Sequence, residues 1–258
     1  MSNALEDFIA DPAYGELPFP KVQWQNRFPQ DMQRAFLCSL PYGLADGRIV
    51  DGPGPVLKRR KGLFTNPLYR QFEQNLCETW GFADPDDARA AIASLLSTDS
   101  NPEYVALLPE IKIIAQEHNP ETAHALVEPA CQRLPGVDPS AITAVLQKYA
   151  NLFAEGMGLP SQLPSTLTSW DYGRAAWISR MAHGIGWFSE EECAQHHAHA
   201  LERAQVMYPD WKSYASGWLL GRAAWSGMVG EDGEGLSALV ATLLVNPASP
   251  WLRMPLNP

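Results

Sequence analysis

The chain has 258 residues, 46% of them hydrophobic and 19% charged, with a formal net charge of -10. That balance excludes wholesale disorder, and no apolar run approaches the ~18 residues read as a membrane span. The acidic balance argues against a broad nucleic-acid surface, which needs clustered positive charge, and favours a basic partner.

Residues Met1 to Tyr14 carry acids and lack the basic start and apolar stretch of a secretory signal, so the expected location is cytoplasmic. Cys38, Cys77, Cys131 and Cys193 stand singly, which suits reduced thiols better than a disulfide framework or a zinc ribbon. Pro12, Pro18, Pro20 and Pro29 make residues 1 to about 29 read as an extended arm laid over a core, not a helix. Asp31 is placed to cap a first helix that runs through Leu40 and ends at Pro41. A loop follows from Gly43 to Lys61, with Gly-Pro-Gly-Pro at 52–55 and the basic tetrad Lys58-Arg59-Arg60-Lys61. The tetrad is read as a solvated loop end, with anion binding as the functional alternative.

From Asn66-Pro67 the pattern becomes helical. Asparagine caps and proline suits the first helical position, and Leu68, Phe72, Leu76 and Trp80 then recur every fourth residue as one apolar stripe. Gly81 ends that helix and Asp84-Pro85 opens the next, with Ala88, Ile92 and Leu95 on its face. Asn101-Pro102, Asn119-Pro120 and Asp138-Pro139 predict further starts. Gly156, Gly158, Pro160 and Pro164 read as a hinge near 156–165, beyond which helices are predicted at 166–184, 189–207, 210–228 and 235–245. Little or no sheet is expected. The fold class is therefore all-α: a multi-helix globular bundle behind an extended Pro-rich N-terminal arm. An arm and loop (1–65) precede a helical domain (66–258), whose candidate lobes are 66–155 and 166–258.

One eight-residue word occurs twice. Trp170-Asp171-Tyr172-Gly173-Arg174-Ala175-Ala176-Trp177 returns as Trp218-Leu219-Leu220-Gly221-Arg222-Ala223-Ala224-Trp225. On helices, each copy sets its arginine between two tryptophans on one face, while Ser169, Gly173 and Ala176, like Gly217, Gly221 and Ala224, form a second stripe of small residues. A helical glycine costs roughly 1 kcal/mol against alanine, so the stripes predict a close approach of the two helices. A guanidinium on a buried face needs acceptors. Asp171 lies one turn from Arg174, whereas Leu219 stands at the matching place before Arg222. Arg174 and Arg222 are thus read either as structural, stacked on tryptophan, or as an anion pocket with Asp171 and walls of Trp170, Trp177, Trp218 and Trp225. A weaker echo relates Gly81-Phe82-Ala83-Asp84 to Gly186-Trp187-Phe188-Ser189, each a glycine stop, an aromatic and a helix cap.

The run from Trp170 to Arg174, Gly186 before Ser189-Glu190-Glu191, Tyr208 to Trp211, and Gly221-Arg222 with Trp225 resemble the bacterial domain of unknown function 1266 family. The resemblance is most specific over 170–225. It implies a bacterial cytosolic protein with no activity or catalytic residue to carry over, and a family context of interbacterial competition that suggests protein binding.

Other chemistries find little support. Glu192, His196 and His199 share a face of the 189–207 helix and are a weak metal candidate against a plain surface histidine patch that includes His197. His183 beside Gly184 suits a helix-end capping role. No nucleophile elbow, Walker loop or dinucleotide motif occurs. Gly230 to Gly235 is acidic, lacks the calcium-loop pattern and reads as a flexible loop. No cofactor and no catalytic residue are assigned. The leading expectation is a non-enzymatic module, of immunity or adaptor type, that binds a basic protein; the alternative is a hydrolase or phosphate- or carboxylate-binding enzyme using the Arg/Trp pocket.

Overall fold

The computed structural model describes residues 4–20, 22–23, 27–45, 49–50, 52–57, 66–97, 101–155, 158–226 and 231–258. The fold is all-α and multi-helical, as the period-four stripes require. Beside the helices, β1 (Val22–Gln23) and β2 (Ile49–Val50) form one short parallel pair with Val22 opposite Ile49.

The chain divides into two compact units built from non-adjacent segments. The first comprises Met1–Pro18, Asp99–Trp170 and Trp211–Leu252; the second comprises Phe19–Thr98, Asp171–Asp210 and Arg253–Pro258. The first holds α1 (Leu5–Ala10), α2 (Ala13–Glu16), α7 (Pro102–Glu117), α8 (Thr122–Arg133), α9 (Pro139–Glu155), α12 (Trp211–Ser226) and α13 (Glu231–Val245). The second holds α3 (Gln30–Phe36), α4 (Leu40–Ala45), α5 (Pro67–Gln74), α6 (Pro85–Leu96) and α11 (Glu190–Met207). Most of α10 (Thr168–Gly184) is in the second unit, and α14 (Pro250–Arg253) spans the last division.

In the first unit α7, α8 and α9 bury Tyr104, Leu107, Ile111, Ile142 and Leu146 in one apolar cluster, to which Leu220 and Ala223 of α12 also belong. The N-terminal arm is not extended, as expected, but helical in two short pieces. Prolines at 12 and 18 bound the turns without preventing them, because proline is tolerated at a helix start, and Leu5 is fully buried. Residues expected to hinge lie inside this unit: Leu159 O accepts from Leu5 N–H (3.0 Å), Gly158 O from Ser237 Oγ (2.9 Å), and Glu6 Oε2 from Ser161 N–H (3.0 Å). The acidic run read as a loop is helical from Glu231 onward, consistent with acids at the positive end of the helix dipole. Residues 234–253 are apolar and long enough to pass for a membrane span by composition, contrary to the first reading. They are half buried, and they break between α13 and α14.

Several predicted starts hold with altered chemistry. Asp84 caps α6 by accepting from Asp86 and Asp87 N–H, and Asn66 caps α5 through Leu68 N–H. Asn101 precedes Pro102 as expected but does not cap α7. Its Oδ1 accepts from Leu167 N–H at 2.8 Å, a tertiary tie across 66 residues. Asp31 is not a cap either. Pro29 occupies that place, and Asp31 pairs with Arg34 (2.5 Å) one turn on. Pro41 stands in the first turn of α4 instead of closing a helix, since its missing N–H is not needed there. The stripe through Trp80 is carried by α5 and then a π-helical turn over Asn75–Thr79.

The weaker echo has a structural counterpart. Gly81 and Gly186 both take positive φ (+73° and +83°), and Asp84 and Ser189 cap α6 and α11. Arg89 of α6 donates to both carboxylate oxygens of Glu192 on α11 (2.6 and 3.3 Å) and lies over the Phe188 ring, so the two similar joints meet in the second unit.

Candidate functional site

The two copies of the repeated word are built differently. In the first, within the second unit, Arg174 ion-pairs with Asp171 one turn earlier, their side chains only 15% and 10% exposed. The Arg174 guanidinium also lies 5.8 Å from the Trp80 ring centre. Trp177 stacks on Tyr42 (5.6 Å, 9° between planes) and meets Phe72 edge-on (5.9 Å, 81°). A buried cation beside a buried carboxylate has its charge compensated internally, which is the structural reading of this arginine.

The second copy belongs to the first unit. Arg222 places its guanidinium 5.2 Å from the Trp170 ring centre, Trp218 meets Trp170 edge-on at 5.4 Å, and Trp225 is 6.2 Å from the same ring. Leu219, at the place of Asp171, is core. Gly221 makes the close approach its residue type suggested, and the neighbours pressed against it are Trp170 and Leu167 at the start of α10. A Cβ there would sit 2.6 Å from Trp170 Cβ and 3.2 Å from Leu167 O. The copies diverge most at their last residue: Trp177 is 8% exposed and Trp225 is 67% exposed. The predicted site residues thus fall into two groups, Trp170, Trp218, Arg222 and Trp225 in the first unit and Asp171, Arg174 and Trp177 in the second. Phe72 and Trp80, legible in the sequence only as part of an apolar stripe, and Tyr42 are not legible there as partners of the repeated word, because aromatic partners 90 or more positions away leave no periodic mark.

The histidine face resolves into separate roles. The Glu192 carboxylate is held by Arg89, whose hydrogen bonds lower its pKa. His196 Nδ1 lies 3.0 Å from Ser179 Oγ, and burial lowers the pKa of its ring. His199 is exposed. Among the described residues no three His, Cys, Asp or Glu side chains converge as metal ligands. His197 is not on the surface at all. It is fully buried, its Nδ1 2.9 Å from Cys193 O and its ring 4.7 Å from Phe36. Burial, then the nearby Arg180 cation, holds its pKa well below the ordinary histidine value, so it stays neutral. Burial likewise pushes the Cys193 thiol up to about 11, which leaves it protonated and a poor nucleophile at neutral pH. His183 Nδ1 meets the Phe188 carbonyl (3.1 Å) and ties the α10–α11 joint, not the last carbonyls of its own helix.

The second unit also carries an open groove of about 470 Å³ between α3 and α11, with Asp31, Arg34, Leu201 and Glu202 in its lining. The basic tetrad 58–61 lies outside the described residues.

Charge is divided unevenly. The first unit contains 15 acidic and 5 basic residues, the second 14 of each, so the whole net charge of -10 belongs to the first unit. Glu103, Glu117, Glu121, Glu128 and Asp138 are all exposed there. An acidic excess of this kind favours association with an oppositely charged partner.

Residues 75–256 match the family model described as "Protein of unknown function (DUF1266)". No curated protein and no solved structure matches the chain.

Proposed function

We propose a protein-binding role for this chain, which belongs to the DUF1266 family by a match over 75–256: a non-enzymatic module of adaptor or immunity type whose acidic first unit receives a basic protein. The observation that carries this reading is the confinement of the net charge of -10 to one of two units. A charge carried only for solubility would be shared between the two units; one strongly acidic unit is suited to steer a cationic partner. The described cysteines are free, which fits action in the reducing cytoplasm. The alternative, an anion-binding enzyme, draws less support because Asp171 already compensates Arg174 and Arg222 lies on Trp170.

The test is affinity capture of the full chain from native lysate at physiological salt, beside a variant carrying Glu103→Gln, Glu121→Gln and Glu128→Gln. A stoichiometric basic partner that the variant retains less well is the expected result. A partner held equally by both forms, or recovery of the chain alone, overturns the reading.

A further inference from the structure

We infer that the exposed indole of Trp225 is a seat for an arginine side chain of the basic partner, so that the second copy of the repeated word recognises and the first is core. This inference rests on the protein-binding reading above and adds the place and chemistry of contact.

The two copies share Trp, Gly-Arg-Ala-Ala and Trp in the same register, which makes the contrast at their last residue informative. Trp177 is closed off by Tyr42 and Phe72 and is 8% exposed, whereas Trp225 leaves 67% of its surface in water. An aromatic of this size held at the surface is the residue type most often found to dominate the energy of a protein interface. Its mounting is firm. Trp170, 6.2 Å away and only 5% exposed, is pinned by the edge of Trp218 and by the close packing of Gly221.

Charge complementarity selects the occupant. The unit that carries Trp225 has 15 acids against 5 bases. Trp225 lies in the last turn of α12, which ends at Ser226, where the helix dipole is negative and favours a cation. Arginine suits the seat better than lysine, because its planar guanidinium stacks on an indole and sheds water more readily than an ammonium. The protein already uses this pairing: Arg222 lies 5.2 Å over the Trp170 ring, in the same aromatic cluster. Arg222 is thereby engaged with the cluster floor.

The test uses the full chain with three fluorescein-labelled nonapeptides, of arginine, of lysine and of neutral citrulline, read by anisotropy at several salt concentrations. The wild type should bind arginine most tightly and citrulline least. Trp225→Ala should weaken arginine binding roughly three- to thirtyfold, the range of a cation–π contact, with Trp225→Phe between the two and the salt slope unchanged. The Glu103→Gln, Glu121→Gln, Glu128→Gln variant should lower the salt slope. Equal arginine binding by wild type and Trp225→Ala, or citrulline bound as tightly as arginine, overturns the seat. If the charge variant still weakens binding, the acidic-surface reading stands without it. A wild type that binds neither cationic peptide overturns that reading itself. Because Trp225 is largely exposed, matching thermal melts will show that the variants are folded.

Discussion

Replacing Gly221 by alanine tests the packing that gives the second copy of the repeated word its form. The added Cβ would lie 2.6 Å from Trp170 Cβ, 0.8 Å inside the 3.4 Å at which ordinary contact begins, and 3.2 Å from both Leu167 O and Trp170 Cγ. Neither obstacle is the free end of a flexible chain. Leu167 O is backbone, and Trp170 Cβ sits in the first turn of α10 with its ring held by Trp218. Overpacking of this kind costs about 1–3 kcal/mol, against roughly 1 kcal/mol gained from better helix propensity, which leaves a net loss of up to ~2 kcal/mol. Gly235 of α13 provides the control, since nothing lies within 4 Å of its added Cβ. Gly235→Ala should therefore stabilise, by about 0.5–1 kcal/mol. Urea denaturation followed by far-UV circular dichroism and tryptophan fluorescence would read both midpoints. A Gly221→Ala protein more stable than the wild type, or a shift of the same sign in both variants, would refute the close approach.

Removing the Asp171 carboxylate in Asp171→Asn should cost about 1–3 kcal/mol, because the largely buried Arg174 loses this ion pair, while Asp171→Leu with Arg174→Met recovers most of that loss. A single variant melting with the wild type would show that the pair is not the main support of Arg174. For His197, the folded pKa is depressed, so the unfolded chain binds the proton first. Its contribution is complete above the unfolded value near 6.5 and is lost as pH falls below it, by up to ~2 kcal/mol at pH 5. Denaturation at pH 7 and pH 5 should therefore separate wild type from His197→Gln in slope, and parallel slopes would contradict the assignment. In native protein a thiol reagent should modify exposed Cys77 and spare buried Cys38 and Cys193 until the chain unfolds. Mass spectrometry of the labelled peptides decides this, and early labelling of Cys193 would count against its burial.

Helix identity was written locally and could be read locally. Apolar residues four apart, Asn-Pro and Asp-Pro starts and glycine stops act within a turn or two, which is why α5 to α12 fall close to the predicted places. Where the reading failed, a distant group had taken over a local signal. Asn101 has the chemistry of a cap, yet Leu167 N–H claims it. The prolines of the arm suggest extension, but the burial of Leu5 and the hydrogen bond from its N–H to Leu159 O make two short helical turns worth forming.

For the candidate site the same division holds. Sequence alone determined the doubled word, its helical face, the Asp171–Arg174 pairing and the acidity of the chain. None of these needs more than spacing and charge. Only the tertiary structure decided that Trp177 is buried and Trp225 exposed, that His197 is core while His199 is surface, and that the acidic surplus falls in one unit. Burial depends on what packs from elsewhere in the chain, and the shared Gly-Arg-Ala-Ala-Trp of the two words carries no record of their different neighbours.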